Sequence, residues 1–247
     1  MQLDRILQSQ GFGSRRECRA LVRDGEVKIG GEVITDPFGE YDTDGFTFEI
    51  GEWEWRYAEK VYIALNKPLD VECSRKPKHN PSVYNLLPEP VVGRDVQSVG
   101  RLDVDTSGLL LFSDDGQFIH ALSSPKRHVT KSYRATIKHV IDDSLIEALL
   151  GGVQLLDEPK PVSAISAKRV DAHTLELVVD QGKYHLVRRM VAAAGNRVEA
   201  LHRFAVGELS LESGVLPQLD TEDWCYLTDK HLALLGYTPS ADGKAGK

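Results

Sequence analysis

The densest run of chemically able side chains is Gly100-Arg101-Leu102-Asp103-Val104-Asp105-Thr106-Ser107-Gly108, which leads into Leu109-Leu110-Leu111-Phe112. Two carboxylates, two hydroxyls and a guanidinium precede a strongly apolar segment. An ionised Asp at the mouth of a rigid strand can attack an electrophilic carbon or accept a proton. The same side chains can equally satisfy the backbone of a loop. A calcium loop is the third reading, since Asp103, Asp105 and Ser107 fall at its first ligand positions and Asp114 at its last. It fails on Leu111, which occupies a ligand position and cannot coordinate, and on Asp where a bidentate Glu is usual. Leu109–Phe112 also reads as strand where a helix should begin.

Two further segments are basic. Residues 116–141 hold five bases (Lys126, Arg127, Lys131, Arg134 and Lys138) and no acid. Lys131-Ser132-Tyr133-Arg134-Ala135 opens a strand there. A cationic stretch with an aromatic inside can hold phosphates while stacking a base, or be a charged edge that resists aggregation. The other segment is Asp180-Gln181-Gly182-Lys183-Tyr184-His185-Leu186-Val187-Arg188-Arg189-Met190. Its spacing predicts an amphipathic helix over 184–194, with Val187, Met190, Val191 and Ala194 on the apolar face. His185, Arg188 and Arg189 lie away from that face, and Gly195 supplies a stop. An arginine on the first turns can be aimed into a cleft, or can be plain surface charge.

The elements that must position these groups divide near residue 59. Leu3, Ile6 and Leu7 have helical spacing, and Ser14 with Glu17 forms a capping box that opens a second helix. Arg15, Arg16, Arg19 and Arg23 share one side of that helix, with Cys18, Leu21 and Val22 on the other. Such a stripe is either a solvated face or a phosphate site, since guanidinium forks pair with phosphate oxygens. Asp24-Gly25 turns the chain into a hairpin, Val27–Ile29 and Glu32–Ile34, around Gly30-Gly31. The acidic stretch after it reads as a partly exposed strand and linker. Beyond it, strands are expected over 61–66, 108–113, 132–140, 162–170, 173–180 and 203–211, and helices over 116–123, 142–150 and 184–194. The order does not alternate as βαβ, so the class is α+β. A tail over 239–247 is expected to be disordered.

Composition narrows the function. The 247 residues include 30 Lys+Arg and 37 Asp+Glu, a net charge of −7. Residues 32–59 contribute nine acids and one base, so the remainder is close to neutral and can carry basic faces. Three separated cysteines (Cys18, Cys73 and Cys225) exclude a disulfide framework and favour a reducing cytoplasm. The opening Met-Gln-Leu-Asp-Arg has no apolar core, so no signal peptide is expected, and no run suits a membrane span. Histidine spacing does not suit zinc, and no glycine-rich nucleotide or dinucleotide motif occurs. No cofactor and no metal are expected.

The N-terminal residues, Leu3-Asp4-Arg5, Gly13-Ser14-Arg15-Arg16-Glu17 and Asp24-Gly25-Glu26-Val27-Lys28-Ile29-Gly30-Gly31-Glu32-Val33, resemble the S4 RNA-binding domain. Gly100-Arg101-Leu102-Asp103-x-x-Thr106-Ser107-Gly108-Leu109-Leu110 resembles the carboxylate motif of the pseudouridine synthases. Lys131-Ser132-Tyr133 and Gly182-Lys183-Tyr184-His185-x-Val187-Arg188-Arg189-Met190 resemble their second and third motifs, in the same order. With an S4 domain in front, this is similar to the RsuA family. Within it, Ala64-Leu65-Asn66-Lys67-Pro68, Asp114-Asp115-Gly116-Gln117 and Ser124-Pro125-Lys126-Arg127-His128 are most similar to the members acting on 16S rRNA.

The resemblance implies an S4-like domain with an acidic linker over 1–58 and a mainly antiparallel catalytic domain over 59–238. It implies isomerisation of one uridine, with Asp103 as the essential carboxylate, Arg188 as its cationic partner (Arg189 second) and Tyr133 stacked on the target base. Arg101, Lys131 and Arg189 would hold RNA near the site, and Arg5, Arg15, Arg16, Arg19, Arg23 and Lys28 would dock the S4 face. The implied partner is 16S rRNA, free or already in a partly assembled small subunit, and the enzyme is expected to be a cytoplasmic monomer. A 23S rRNA substrate and a non-enzymatic S4-type assembly module are the alternatives.

Overall fold

The computed structural model describes residues 1–239 of the 247. The expected disordered tail therefore lies, Pro239 apart, outside the described residues. The chain forms two compact units.

The first unit comprises residues 1–61 and 87–97. Helix α1 (Leu3–Ser9) and helix α2 (Arg15–Arg23) pack on a sheet of order β2-β1-β3-β4. The capping box is formed: Ser14 Oγ accepts from Glu17 N, and the Glu17 carboxylate accepts from Ser14 N at 2.7 Å. Strands β1 (Val27–Ile29) and β2 (Glu32–Ile34) are joined by Gly30 and Gly31, both left-handed (φ 58° and 81°), as a two-residue hairpin requires. The acidic stretch is not a linker. It folds as a second hairpin, β3 (Thr47–Ile50) and β4 (Trp53–Arg56), paired to β1. The two-residue alternation turns Phe48 into the core with Leu3, Ile6, Leu7, Cys18, Val22 and Val27. The acids between stay solvated, which is why so charged a segment can still be a strand.

Helix α3 (Glu89–Gly93) belongs to this unit, although the sequence reading ran 59–238 as one continuous domain. A Cβ on Gly11 (φ 87°) would stand 1.9 Å from Pro90 O, and one on Gly93 would stand 2.4 Å from Gly11 O. Arg94 then donates to Gln10 Oε1 at 2.5 Å, Ala58 O at 2.8 Å and Glu59 O at 2.9 Å. Five helical residues are too few to show a period, so this excursion leaves no mark in the hydrophobic pattern.

The second unit is built on a mixed, mostly antiparallel sheet. Its strands are β5 (Tyr62–Lys67), β7 (Thr106–Ser113), β8 (Lys131–Ile137), β9 (Ser166–Arg169), β10 (Thr174–Val179), β11 (Val198–Val206) and β13 (Trp224–Tyr226), with the two-residue β12 (Leu209–Ser210) added; the two-residue β6 (Gln97–Ser98) falls at the division between the units. The order is β13-β5-β7-β11-β8-β10-β9; along it the β7–β11 pair is parallel and the other five pairs are antiparallel. One core lies under α5 (Asp143–Gly151) and α6 (Leu186–Ala193). Another lies under α4 (Gly116–Ser123) and α7 (Asp229–Leu234). Asp115 caps α4 through Gln117 N at 2.8 Å and accepts from Tyr62 and Tyr237 hydroxyls at 2.8 and 2.5 Å. Burial pushes its pKa up, but those donors outweigh it and keep the carboxylate below its usual range. Strand β11 starts earlier than expected and α6 later; the second difference matters at the site.

Candidate active site

Asp103 sits just ahead of β7, in a loop tied from beneath by a single buried ammonium. Lys67, fully buried at the end of β5, donates to Pro68 O at 2.8 Å, Thr106 O at 3.0 Å and Asp103 O at 3.2 Å. Burial lowers its pKa, against the pull of Asp103, Asp105 and Asp70. The motif glycine Gly108 lies where β7 meets β11. Its φ is 109°, and a Cβ there would be 2.2 Å from Arg203 O. Only a residue without a side chain lets the two parallel strands approach, which explains glycine at that place in the run. Alternation then sends Thr106 inward, while Ser107 bonds His202 at 3.0 Å. Thr106 Oγ1 is buried without a partner beside Asp103.

The loop opens into a cavity of about 280 Å³, at the small end for small-molecule sites. Arg101, Asp103, Lys131 and Tyr133 all line it, so four of the expected residues are brought together. Arg188 is placed otherwise. It was expected to partner Asp103, but its Nη2 lies 2.9 Å from Asp105 Oδ2 and also donates to Asp105 O at 3.0 Å. The group facing Asp103 is His185, with Nε2 3.3 Å from Oδ1. The cause is local backbone. His185 is left-handed (φ 48°) and caps α6, so the helix begins at Leu186 rather than Tyr184. Its ring stacks on Tyr184 at 3.8 Å. Arg189 is turned to Asp157 and Tyr184 O.

In the first unit the arginine stripe is divided. Arg19 Nε holds the buried Asp4 at 2.8 Å and Arg15 reaches it at 3.5 Å. Burial pushes the Asp4 pKa up, yet the Arg19 hydrogen bond and both guanidinium charges bring it below the usual value. Those two arginines are half-buried supports of α1 and α2. Arg5, Arg16, Arg23 and Lys28 remain exposed, as groups that bind polyanions do.

Sequence reasoning missed Lys67, Arg203 and the placement of His185. Arg203 had a readable signal: it alternates with Leu201 and Ala205 on the buried side of β11, where a cation is out of place. The left-handed turn at His185 had none.

Comparison with known proteins follows the same division. Residues 1–37 match the S4 domain, so an RNA-binding module precedes the unit that holds the cavity. Residues 61–193 match the RNA pseudouridylate synthase family, and the chain belongs to that family of RNA-modifying isomerases. It is 33% identical over 218 residues to ribosomal small subunit pseudouridine synthase A of Haemophilus influenzae, covering 87% of this chain and 92% of that one. To the protein of the same name in Vibrio parahaemolyticus it is 35% identical over 237 residues, covering 94% and 98%. A crystal structure described as a pseudouridylate synthase superposes with a TM-score of 0.66 at 30% identity, over 95% of this chain and 99% of that one.

Proposed function

We propose that the protein isomerises one uridine of 16S rRNA to pseudouridine, with Asp103 as the essential carboxylate. The reading rests above all on Asp103 opening into a cavity of about 280 Å³ beside Tyr133, Lys131 and Arg101. The names of its relatives support the small-subunit substrate. The reaction breaks N1–C1′, turns the uracil and joins C5 to C1′. No electrons or heavy atoms are gained or lost, so the chemistry asks for no redox cofactor. A base inside a stack cannot enter such a cavity and must be flipped out. Tyr133 stacks on it, and Asp103 attacks the sugar or takes a sugar proton. His185, 3.3 Å from Asp103 Oδ1, orients the carboxylate, while Arg188 braces the loop through Asp105. The exposed cations Arg5, Arg16, Arg23 and Lys28 dock structured RNA by its phosphates, in the free transcript or in a partly assembled subunit in the cytoplasm.

Tritium release from 16S rRNA labelled at uridine C5 tests this, because the C5 hydrogen is displaced when C5 bonds C1′. About one equivalent per RNA from wild type and none from Asp103→Asn is the expected result. Undiminished release from Asp103→Asn would remove the carboxylate assignment, and release from 23S rRNA alone would remove the substrate assignment.

A further inference from the structure

Two cations in the cavity have no carboxylate partner among the described residues. Arg203 is only 5% exposed, on the inward face of β11. Its Nε donates to Leu109 O at 2.9 Å, and among the described residues its terminal nitrogens meet no acceptor. A guanidinium so placed is costly to bury unless a counter-charge arrives. Lys131 opens β8 and makes one hydrogen bond, to Val129 O at 2.7 Å. Burial pushes its pKa down and the Arg203 charge pushes it further. The one acid acting on it is Asp180, which is itself held by His128 at 2.6 Å. Tyr133 is the cross-strand neighbour of Arg203, and all three side chains line the cavity with Asp103. Two unneutralised cations beside the ring expected to stack on the base make an anion site at the depth of the base.

We propose that Lys131 and Arg203 stabilise the negative charge that gathers on the uracil ring as the N1–C1′ bond breaks. This rests on the reading of the cavity as the uridine-isomerising site. The N1–C1′ electron pair leaves with the uracil and spreads over N1, O2 and O4. The electron-poor C1′ is met by the Asp103 carboxylate, or its charge is relieved by loss of a sugar proton to that carboxylate. Once the ring has turned, C5 supplies the pair that forms C5–C1′, as the Asp103 oxygen leaves C1′ or the carboxylate returns its proton to the sugar carbon. The C5 proton is lost to solvent and N1 takes one up. Charge grows on the ring only on the way to the broken bond, so cations fixed there favour the transition state over bound uridine. A nucleotide phosphate in the same place carries its charge throughout, and would make these residues matter for binding instead.

The test compares wild type, Lys131→Met and Arg203→Gln in single turnover. The RNAs carry either uridine or 5-fluorouridine at the target position. Loss of the target nucleoside is followed by chromatography of nuclease digests, and RNA affinity is measured separately. Fluorine withdraws electrons and makes the ring a better leaving group, so it lessens the need for the cations. Each variant should turn over uridine about 100-fold more slowly than wild type with nearly unchanged affinity. That deficit should shrink to roughly tenfold with 5-fluorouridine. An equal deficit on both substrates overturns the proposal, as does a loss confined to affinity, which would assign a phosphate to the pair. Should Arg203→Gln fail to fold by circular dichroism, Lys131→Met decides alone. Asp103→Asn in the same assay separates the two claims: if it turns over, the reading of the site falls. If it is inactive and the leaving-group effect is missing, only the role of the cations falls.

Discussion

Replacing Lys67 by Met isolates the support of the Asp103 loop from the proposed chemistry, because Lys67 is fully buried and does not line the cavity. Methionine fills a similar volume without the ammonium. Three carbonyls then lose their shared donor: Pro68 O, Thr106 O and Asp103 O. A buried acceptor left unpaired costs about 1–3 kcal/mol. Two of the three bonds are buried, and water can replace the third. The gross loss of about 2–6 kcal/mol is offset in part, because burying the ammonium also cost several kcal/mol in the native protein. A net destabilisation of about 2 kcal/mol is expected, read as a fall in the urea midpoint at unchanged slope. The effect on turnover is larger in kind. Freed from Lys67, the Asp103 backbone can shift, and a displacement near 1 Å costs about 100-fold in rate. Single-turnover tritium release should therefore drop about 100-fold with little change in RNA affinity. Wild-type turnover in a folded Lys67→Met protein, alongside an inactive Asp103→Asn, would refute the claim that this ammonium positions the carboxylate.

Other outcomes follow from the same geometry. Gly108→Ala forces a methyl to 2.2 Å from Arg203 O at a φ of 109°, and should cost more than about 3 kcal/mol or prevent folding, as denaturation will show. Asp4→Asn should destabilise by about 2 kcal/mol at neutral pH. Because the folded Asp4 pKa is lowered, its contribution is complete above the ordinary carboxylate range and is lost as pH falls through the depressed value. The variant should therefore lose less stability on acidification than wild type does. Paired Arg16→Gln and Arg23→Gln replacements should lower the slope of log affinity against log salt by about 1–2, with kcat untouched once RNA saturates.

Local signals carried much of the architecture. The Ser14–Glu17 box, the Gly30-Gly31 turn and the apolar run before Ser113 act over a few residues, so they can be read directly. The motif around Asp103 and the one around Tyr133 meet at one cavity, because strand order brings β7 and β8 to one mouth through β11. What escaped was set by long-range contact. The pairing of Arg188 with Asp105 depends on one left-handed residue, His185, whose backbone no pattern announces. The division of the arginine stripe depends on Asp4, which lies on another helix. The acidic stretch read only as a partly exposed strand and linker, because the pairing that makes β3 and β4 part of the first sheet is a long-range contact with β1.

The excursion at 87–97 has a consequence for modularity. Since Arg94 secures Gln10, Ala58 and Glu59, the first unit is not encoded by one uninterrupted stretch of the gene. A fragment ending at residue 61 would lack its own fastening. Grafting this RNA-binding unit onto another enzyme would mean moving two pieces together. During synthesis it can be completed only after the first strand of the catalytic sheet has already left the ribosome.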